Sequence, residues 1–209
     1  MTRRLTAVAF ALLMATPLSV QAQDFMMRVD RSASAADPDD VPEVTIESAA
    51  SGFQVNTGPA AVVYNAANTA TGNYALSGRF TLQAPSDHTN YYGLVFGGNA
   101  LDGASQNYLY FLVAQNGTFL VKHRANDETI HDIVARTEHE AVRQPDANGK
   151  SVNDLEVRVG AETVDFVVNG TVVHSAPKSG MVARTDGVYG VRVNHRIPGV
   201  LVENLSVSR

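Results

Sequence analysis

The sequence contains no cysteine and no tryptophan among its 209 residues. Without cysteine, disulfide bonds cannot contribute to the fold, so packing alone has to keep the folded chain stable. Without tryptophan, the chain lacks the side chain with the largest flat surface for stacking on a ligand. The second absence counts against a strong binding surface for polysaccharide chains.

Positive charge is also scarce. The chain has 16 Lys and Arg residues against 21 Asp and Glu residues, which gives a formal net charge of −5. Nucleic acids and anionic membrane surfaces select proteins with net or clustered positive charge. We therefore expect neither nucleic acid nor a membrane surface among the partners.

No apolar run reaches the roughly 20 residues that are needed to cross a bilayer. The first run, residues 5–13, follows Arg3 and Arg4 and precedes the small-residue pattern VQA at residues 20–22. This layout is typical of a secretory signal peptide. We expect residues 1–22 to be a signal peptide that directs a bacterial protein to the periplasm or the medium. After cleavage no integral membrane segment is expected.

Residues 23–42 are rich in Ser, Ala and Asp and offer no periodic apolar face. Such a composition buries too little apolar surface to order a chain, so we expect a flexible spacer. Residues 43–209 are expected to form a single domain, because a segment of this size is long enough to enclose one core.

Alternation of apolar and polar residues dominates from residue 43 onward. Leu76, Phe80 and Leu82 alternate with polar side chains, and so do Leu155 and Val157. Short alternating runs separated by Gly, Asn, Asp and Pro are typical of antiparallel strands with one core face and one solvated face. The sequence therefore predicts an all-β fold, a two-sheet antiparallel β-sandwich or jelly roll.

Two Asn-Gly pairs lie between apolar runs and predict two-residue hairpin turns of type I′. The turn at residues 116–117 would place Tyr110 opposite His123 on a core face. It would place Phe111 opposite Lys122 on the outer face.

The second turn, at residues 169–170, would place Asp165 opposite His174. A carboxylate and an imidazole at directly opposed positions interact favourably. Cross-strand stabilisation is favoured over a catalytic pair, because no nucleophile lies near them in the sequence.

Five segments carry recurring motifs: YGLVFGG (residues 92–98), YLYFLV (108–113), NGTFLVKHR (116–124), VVNG (167–170) and GVYGVRV (187–193). These motifs resemble the laminin G-like and 3-keto-disaccharide hydrolase-like branch of the concanavalin A-like lectin/glucanase superfamily. The resemblance covers nearly all of residues 73–209 and implies a jelly-roll sandwich. Lectins, glycosidases and passive modules share this sandwich, so the fold alone implies no activity.

Catalytic carboxylates are difficult to assign. Glucanases of this superfamily that resemble glycoside hydrolase family sixteen carry them as Glu-x-Asp-x-x-Glu, and no such string occurs here. Retaining hydrolysis needs two carboxyl groups about 5–5.5 Å apart, and Glu156, Glu162 and Asp165 lack the spacing that directs two side chains to one face. Glycoside cleavage, with or without a metal, stays open as the alternative that the hydrolase resemblance implies.

One polar stretch could supply nitrogen and oxygen ligands to a divalent metal. It contains His123, Glu128, His131, Asp132 and the triplet EHE at residues 138–140. No helical spacing or His-x-His pair holds these side chains together, so a solvated strand and loop is favoured. We expect no cofactor, and the question of a divalent metal stays open.

Outward-facing strand residues and two loops form the candidate ligand site. Cationic side chains supply charge-assisted donors to sugars, uronates or other carboxylates, and an aromatic ring supplies a platform. The candidates are Arg79, Tyr91, Phe111, Lys122, Arg124, Arg192, Asn194 and His195, with the loop residue His88 beside them. An ordinary solvated sheet face is the alternative interpretation of the same residues.

The function expected from these residues is that of a non-catalytic module that binds a polar ligand, with a saccharide as the first choice. The first alternative is the glycoside hydrolase acting on disaccharides or keto-disaccharides. The second is a structural or adhesive module that contacts another envelope protein.

Overall fold

The computed structural model describes residues 24–30, 43–87 and 89–209. The regular structure of this part of the chain is β-strand, apart from one short 3-10 helix at Gly180–Ala183. The strands are β1 (Met26–Asp30), β2 (Thr45–Ala49), β3 (Gly52–Asn56), β4 (Ala60–Ala70), β5 (Tyr74–Leu82), β6 (Tyr91–Asn99), β7 (Asn107–Ala114), β8 (Thr118–Ala125), β9 (Thr129–Glu138), β10 (Ser151–Val159), β11 (Thr163–Val168), β12 (Thr171–Pro177), β13 (Gly187–Val193) and β14 (Val200–Ser208). The predicted all-β class is confirmed.

The described strands form two sheets of seven. Sheet A has the order β1-β4-β13-β6-β7-β8-β9, and sheet B has the order β12-β11-β10-β5-β14-β3-β2. Neighbouring strands run antiparallel in both sheets. The predicted antiparallel sandwich is therefore confirmed.

The core lies between the two sheets. The alternation of β5 places Leu76 and Phe80 inside, and that of β10 does the same for Leu155. Phe111 of sheet A meets Phe166 of sheet B with 5.3 Å between the ring centroids. Burying one side chain of this size contributes about 1.5–3 kcal/mol, so these layers are the main source of stability.

Sheet A is also apolar on its outer face, the side turned away from sheet B. Its middle strands have apolar side chains on both faces, whereas a strand with one solvated face would alternate apolar and polar side chains. The outer set forms a second buried cluster of Val62, Tyr64, Tyr91, Val95, Leu101, Tyr108, Tyr110, Leu112, Ala114 and Leu120. Alternation therefore cannot identify the inner face of these strands.

The hairpin between β7 and β8 differs from the predicted one. Its loop has three residues, 115–117, and ends on Gly117 with a φ of +83°. The Gly117 N–H donates to the carbonyl of Ala114 at 3.2 Å, as expected for a three-residue hairpin that ends on a left-handed glycine. The register therefore shifts by one residue, and Phe111 pairs with Val121.

This shift inverts the predicted faces of β7, because a slip of one residue exchanges the two sides of a strand. Phe111 is fully buried between the sheets, so its assignment to the outer face was wrong. Tyr110, predicted to lie in the core between the sheets, lies on the outer face and pairs with Lys122.

The hairpin between β11 and β12 has the predicted two-residue turn. Asn169 and Gly170 both have positive φ, of 50° and 83°, as a type I′ turn requires. A bulge in the ladder then shifts the register, and Asp165 faces Ser175. The predicted pairing of Asp165 with His174 was wrong, because the bulge inserts one residue that no turn motif reveals.

Strand β1 lies within the segment that the sequence assigns to a flexible spacer. Met26–Asp30 pair with residues 60–64 of β4 at the edge of sheet A, so the spacer prediction was wrong for these five residues. Residues 31–42 and the predicted signal peptide, residues 1–22, lie outside the described residues. Among the described residues, no helix has the length and apolar character to span a membrane.

Candidate functional site

Cationic side chains converge on the outer face of sheet A. Lys122 and Arg124 alternate along β8 with residues of the opposite face, so strand geometry directs both to the same side. Arg192 lies between two valines of the inter-sheet core on β13 and takes the same outer face. Three of the predicted candidates are therefore brought together.

Arg192 is the centre of a group that we call the Arg192 cluster: Arg28, Asp30, Tyr108, Tyr110, Arg124 and Arg192. Its Nη1 donates to the Asp30 carboxylate at 2.5 Å and to the Tyr108 hydroxyl at 2.8 Å. Its guanidinium lies 5.4 Å from the centroid of the Tyr110 ring. Burial acts to lower the pKa of Arg192, but Tyr108 and Asp30 outweigh it and raise the pKa. Arg192 is thus a buried cation that requires an anion beside it.

Asp30 supplies that anion from β1. Its carboxylate also accepts from Arg28 Nε at 3.2 Å and lies 3.8 Å from Arg124 Nη1. Burial acts to raise the pKa of Asp30, but Arg192, Arg124 and Arg28 together lower it below its usual value. The side chain is only 8% exposed, so guanidinium groups rather than water compensate its charge.

Arg124 and Arg28 connect the cluster to neighbouring loops. Arg124 donates to the carbonyls of Asn126 and Asp127 at 3.0 and 2.5 Å. Arg28 donates to the carbonyl of Gly103 at 3.0 Å and to the carboxylate of Asp127. Arg124 is only 9% exposed, so the expectation that it lies on a wet face was wrong.

Tyr108 and Tyr110 supply the aromatic part of the cluster. Their ring centroids are 5.6 Å apart, and the rings are tilted by 46°. Burial is the main cause that raises the pKa of Tyr110 to about 12, and it also raises the pKa of Tyr108. Both phenols therefore stay neutral near neutral pH and can donate or accept a hydrogen bond.

Lys122 and Tyr91 lie on the same face but have other partners. Lys122 Nζ pairs with Asp132 of β9 at 2.9 Å and is partly exposed. The ring of Tyr91 is buried beneath Arg136, and its hydroxyl lies 2.7 Å from Thr118 Oγ1. Of these two candidates, only Lys122 presents an accessible polar group to a ligand.

Asn194 and His195 follow β13 in the adjoining loop. The Asn194 N–H donates to the carbonyl of Tyr91 at 2.9 Å, and the His195 carbonyl accepts from Asn90 Nδ2 at 2.6 Å. The side-chain oxygen of Asn194 is buried and has no hydrogen-bond partner among the described residues. The structure thus ties this loop to the start of β6, while His88 lies outside the described residues.

Arg79 lies on the opposite side of the sandwich. It projects from sheet B and forms a two-bond ion pair with Asp154 at 2.7 and 3.1 Å. The pair borders a concavity of about 310 Å³ that Glu156 and Asn204 also line. Because the outer faces of the two sheets point in opposite directions, the expectation that Arg79 joins Lys122 was wrong.

The histidine-rich stretch does not assemble into a cluster of metal ligands. His123 is buried, its Nε2 lies 3.0 Å from Asn107 Oδ1, and its ring stacks on that of His131 at 5.7 Å. Burial is the main cause that lowers the pKa of His123, followed by Arg184 and His131. In the described ranges, no three His, Asp or Glu side chains lie close enough to hold one metal ion.

Sequence reasoning missed Arg28, Asp30, Tyr108 and Tyr110. The alternation in MMRVD at residues 26–30 is a strand signal, but the Ser-, Ala- and Asp-rich residues that follow obscured it. The two tyrosines lie two residues apart in a predicted strand, so the sequence does show that they share a face. The wrong hairpin register nevertheless placed Tyr110 in the core between the sheets.

The class of fold agrees with the motifs: the protein is a two-sheet antiparallel β-sandwich. No protein-family model and no curated protein sequence matches the chain. The carbohydrate binding module CBM66 from Bacillus subtilis matches it with a TM-score of 0.60 and 12% sequence identity, over 80% of this chain and 92% of the module. At this identity the likeness shows the fold alone.

Two further structures are more distant. Sheep galectin-11 matches with a TM-score of 0.48 and 13% identity, over 77% of this chain and all of the galectin (100%). The GH43 BlXynB protein from Bacillus licheniformis matches with a TM-score of 0.46 and 14% identity, over 72% of this chain and 31% of that protein. Scores this low support no functional argument.

Proposed function

We propose that this protein is an exported, non-catalytic carbohydrate-binding module whose ligand site is the outer face of sheet A. The observation that carries the proposal is Lys122, a partly exposed cation that pairs with Tyr110 on that face, next to the buried Arg124 and Arg192. Guanidinium and ammonium groups form charge-assisted hydrogen bonds with sugar and carboxylate oxygens. Tyrosine adds a ring and a neutral hydroxyl.

The size and fold of the chain support a binding module. A single sandwich accounts for the described residues, and the module from Bacillus subtilis shares this fold over 92% of its length. The signal-peptide pattern in residues 1–22 supports export to the periplasm or the medium.

The test is isothermal titration calorimetry of the mature chain against a panel of oligosaccharides, followed by paired variants. Lys122→Ala should weaken binding by about 1.5–3 kcal/mol, the usual value of a hydrogen bond to a charged group. Arg79→Ala is the matched control, because it removes a cation from the opposite sheet. Equal affinities of wild type and Lys122→Ala would refute a site that includes Lys122.

A second experiment separates binding from hydrolysis. The purified protein is incubated with disaccharides and keto-disaccharides, with and without divalent ions and a chelator, and the products are analysed by chromatography. We expect no turnover under any of these conditions. Turnover that is lost in His131→Ala or on addition of chelator, with the fold intact, would favour the metal-assisted hydrolase instead.

A further inference from the structure

The Arg192 cluster is assembled from two parts of the fold. Arg124 and Arg192 belong to β8 and β13, which have neighbours on both sides in sheet A. Asp30 belongs to β1, which is the end strand of that sheet and pairs only with β4. The anion that compensates Arg192 therefore comes from a peripheral strand.

Strand β1 is short and weakly buried. None of its five residues is fully buried, and the side chains of Met26 and Met27 are 41% and 42% exposed. Within the strand, Val29 contacts the core and is only partly buried, and the preceding Phe25 packs on Phe53 with 4.3 Å between the ring centroids. Segments that bury little apolar surface open at a lower free energy than the whole fold. We therefore expect β1 to open at a lower free energy than the sandwich as a whole.

The position that the Asp30 carboxylate occupies has the chemistry of a carboxylate site. Arg192 donates to it at 2.5 Å, Arg124 lies 3.8 Å away, and the Tyr108 hydroxyl shares the same Arg192 nitrogen. Guanidinium groups are the side chains that proteins use most often for planar recognition of a carboxylate. A free carboxylate would meet the same groups once Asp30 has left.

Charge decides which ligand fits the vacated site. Detachment of β1 removes Arg28 together with Asp30, while Arg124 and Arg192 remain with the exposed Asp127 nearby. The remaining groups carry a net positive charge, and Arg192 lacks its ion-pair partner. Leaving a buried charge without a partner costs several kcal/mol. An anionic ligand removes this cost, whereas a neutral sugar does not.

We propose that Asp30 is an internal occupant of a carboxylate site formed by Arg192, Arg124 and Tyr108, and that a uronate-containing saccharide replaces it when β1 detaches. This inference rests on the proposed function and adds the ligand class, an acidic saccharide, and a strand that competes with it. The apparent dissociation constant equals the intrinsic one divided by the fraction of molecules with β1 detached. Occupation by Asp30 therefore weakens binding in the wild type.

The test compares wild type with Asp30→Ala and Asp30→Asn by calorimetry. The ligands are trigalacturonic acid, its neutral counterpart galactotriose, and triglutamate as a carboxylate without a sugar ring. We expect both variants to bind trigalacturonic acid at least about tenfold more tightly than wild type. Asp154→Ala is the matched control, because it removes an aspartate that pairs with Arg79 on sheet B, and its affinity should equal that of wild type.

The outcomes distinguish this inference from the proposed function. If galactotriose binds and trigalacturonic acid does not, the inference is wrong and carbohydrate binding stands. If the Asp30 substitutions raise the affinity for triglutamate as much as the affinity for trigalacturonic acid, the site does not select a saccharide and the proposed ligand class is wrong. If no oligosaccharide binds to any variant, both proposals fail.

A measurement on the wild type covers the case in which the Asp30 variants do not fold. Hydrogen exchange of the amides in Met26–Asp30 should become faster when trigalacturonic acid is added, because the ligand displaces the strand. The amides of β5 in sheet B should not change. Unchanged or slower exchange in β1 at saturating ligand would overturn the proposal.

Discussion

The hydroxyl of Tyr108 and the guanidinium of Arg192 are joined by a hydrogen bond of 2.8 Å that passes over strand β6. The two residues lie on β7 and β13, so the bond connects strands that are not neighbours in sheet A. It gives a buried cation a neutral partner in addition to the Asp30 carboxylate. The outer face is thereby held together by side chains as well as by the backbone ladder.

Tyr108→Phe should destabilise the protein by about 1.5–3 kcal/mol, because it removes a hydrogen bond to a charged group. The free energy of unfolding is measured by urea denaturation followed by circular dichroism. Tyr110→Phe is the control, since it keeps the ring beneath Arg192 and removes a hydroxyl that does not bond to that guanidinium. Equal losses in the two variants would contradict a special role for the Tyr108 hydroxyl.

Acid should weaken the fold through Asp30. Its pKa is lower in the folded protein than in the unfolded chain, where it is about 3.9. The stabilising contribution is therefore complete above the unfolded value and is lost as the pH falls through the folded value. Asp30→Asn should make the free energy of unfolding less dependent on pH below about pH 4. The mostly exposed Asp87 provides the control variant Asp87→Asn, and parallel profiles for both variants would argue against this effect.

Gly117→Val should cost about 1–2 kcal/mol of stability, because a β-branched residue resists the positive φ of +83° at this position. An added Cβ would also meet Gln144 Nε2 at 2.9 Å, but that flexible side chain can move away. Gly170→Val has the same φ and open space around it, so it isolates the backbone part of the cost. Thermal melting checks both variants, and an unchanged melting temperature for Gly117→Val would contradict the turn assignment.

Arg124→Ala should lower stability as well as ligand binding. The substitution removes two hydrogen bonds from a charged guanidinium to the carbonyls of Asn126 and Asp127, and it removes a cation that lies 3.8 Å from the buried Asp30 carboxylate. A hydrogen bond to a charged group contributes about 1.5–3 kcal/mol. The sequence alone suggests a small effect on stability, because it places Arg124 in solvent. Lys122→Ala removes a partly exposed cation from the same strand and should cost less than about 1 kcal/mol. Thermal melts that show the reverse order would contradict the burial of Arg124.

Export of the chain should leave a mature N-terminus at Gln23 or within a few residues of it. The reason is the signal pattern that ends in VQA at residues 20–22. Intact-mass measurement of the secreted chain checks this expectation. A mass that includes Met1 would contradict cleavage.

The fold could be predicted from sheet B more easily than from sheet A. In β5 and β10 an apolar set alternates with a polar set, so the inner face can be identified in the sequence. In β7 both sets are apolar, and only the loop length determines which side is inside. A three-residue loop and a two-residue loop share the same Asn-Gly pair, which is why Phe111 was assigned to the wrong face.

The candidate site could be predicted only in part. Strand periodicity was sufficient to place Lys122, Arg124 and Arg192 on one side of sheet A. It could not identify Asp30, because the contact between Asp30 and Arg192 joins residues 162 positions apart. Such a contact depends on how the strands are ordered in the sheet, and a local pattern contains no information on strand order.

The cations of β8 also determine how its hairpin folds. If β8 slipped by one residue against β7, Lys122 and Arg124 would enter the space between the sheets, and Phe119 and Val121 would face outward. Strand β7 would accept either arrangement, because both of its faces are apolar. Two cations without partners in the interior would cost several kcal/mol each, so the slipped hairpin is strongly disfavoured. Replacing both cations with apolar residues would therefore allow two registers of the β7–β8 hairpin, while the core between the sheets would stay apolar.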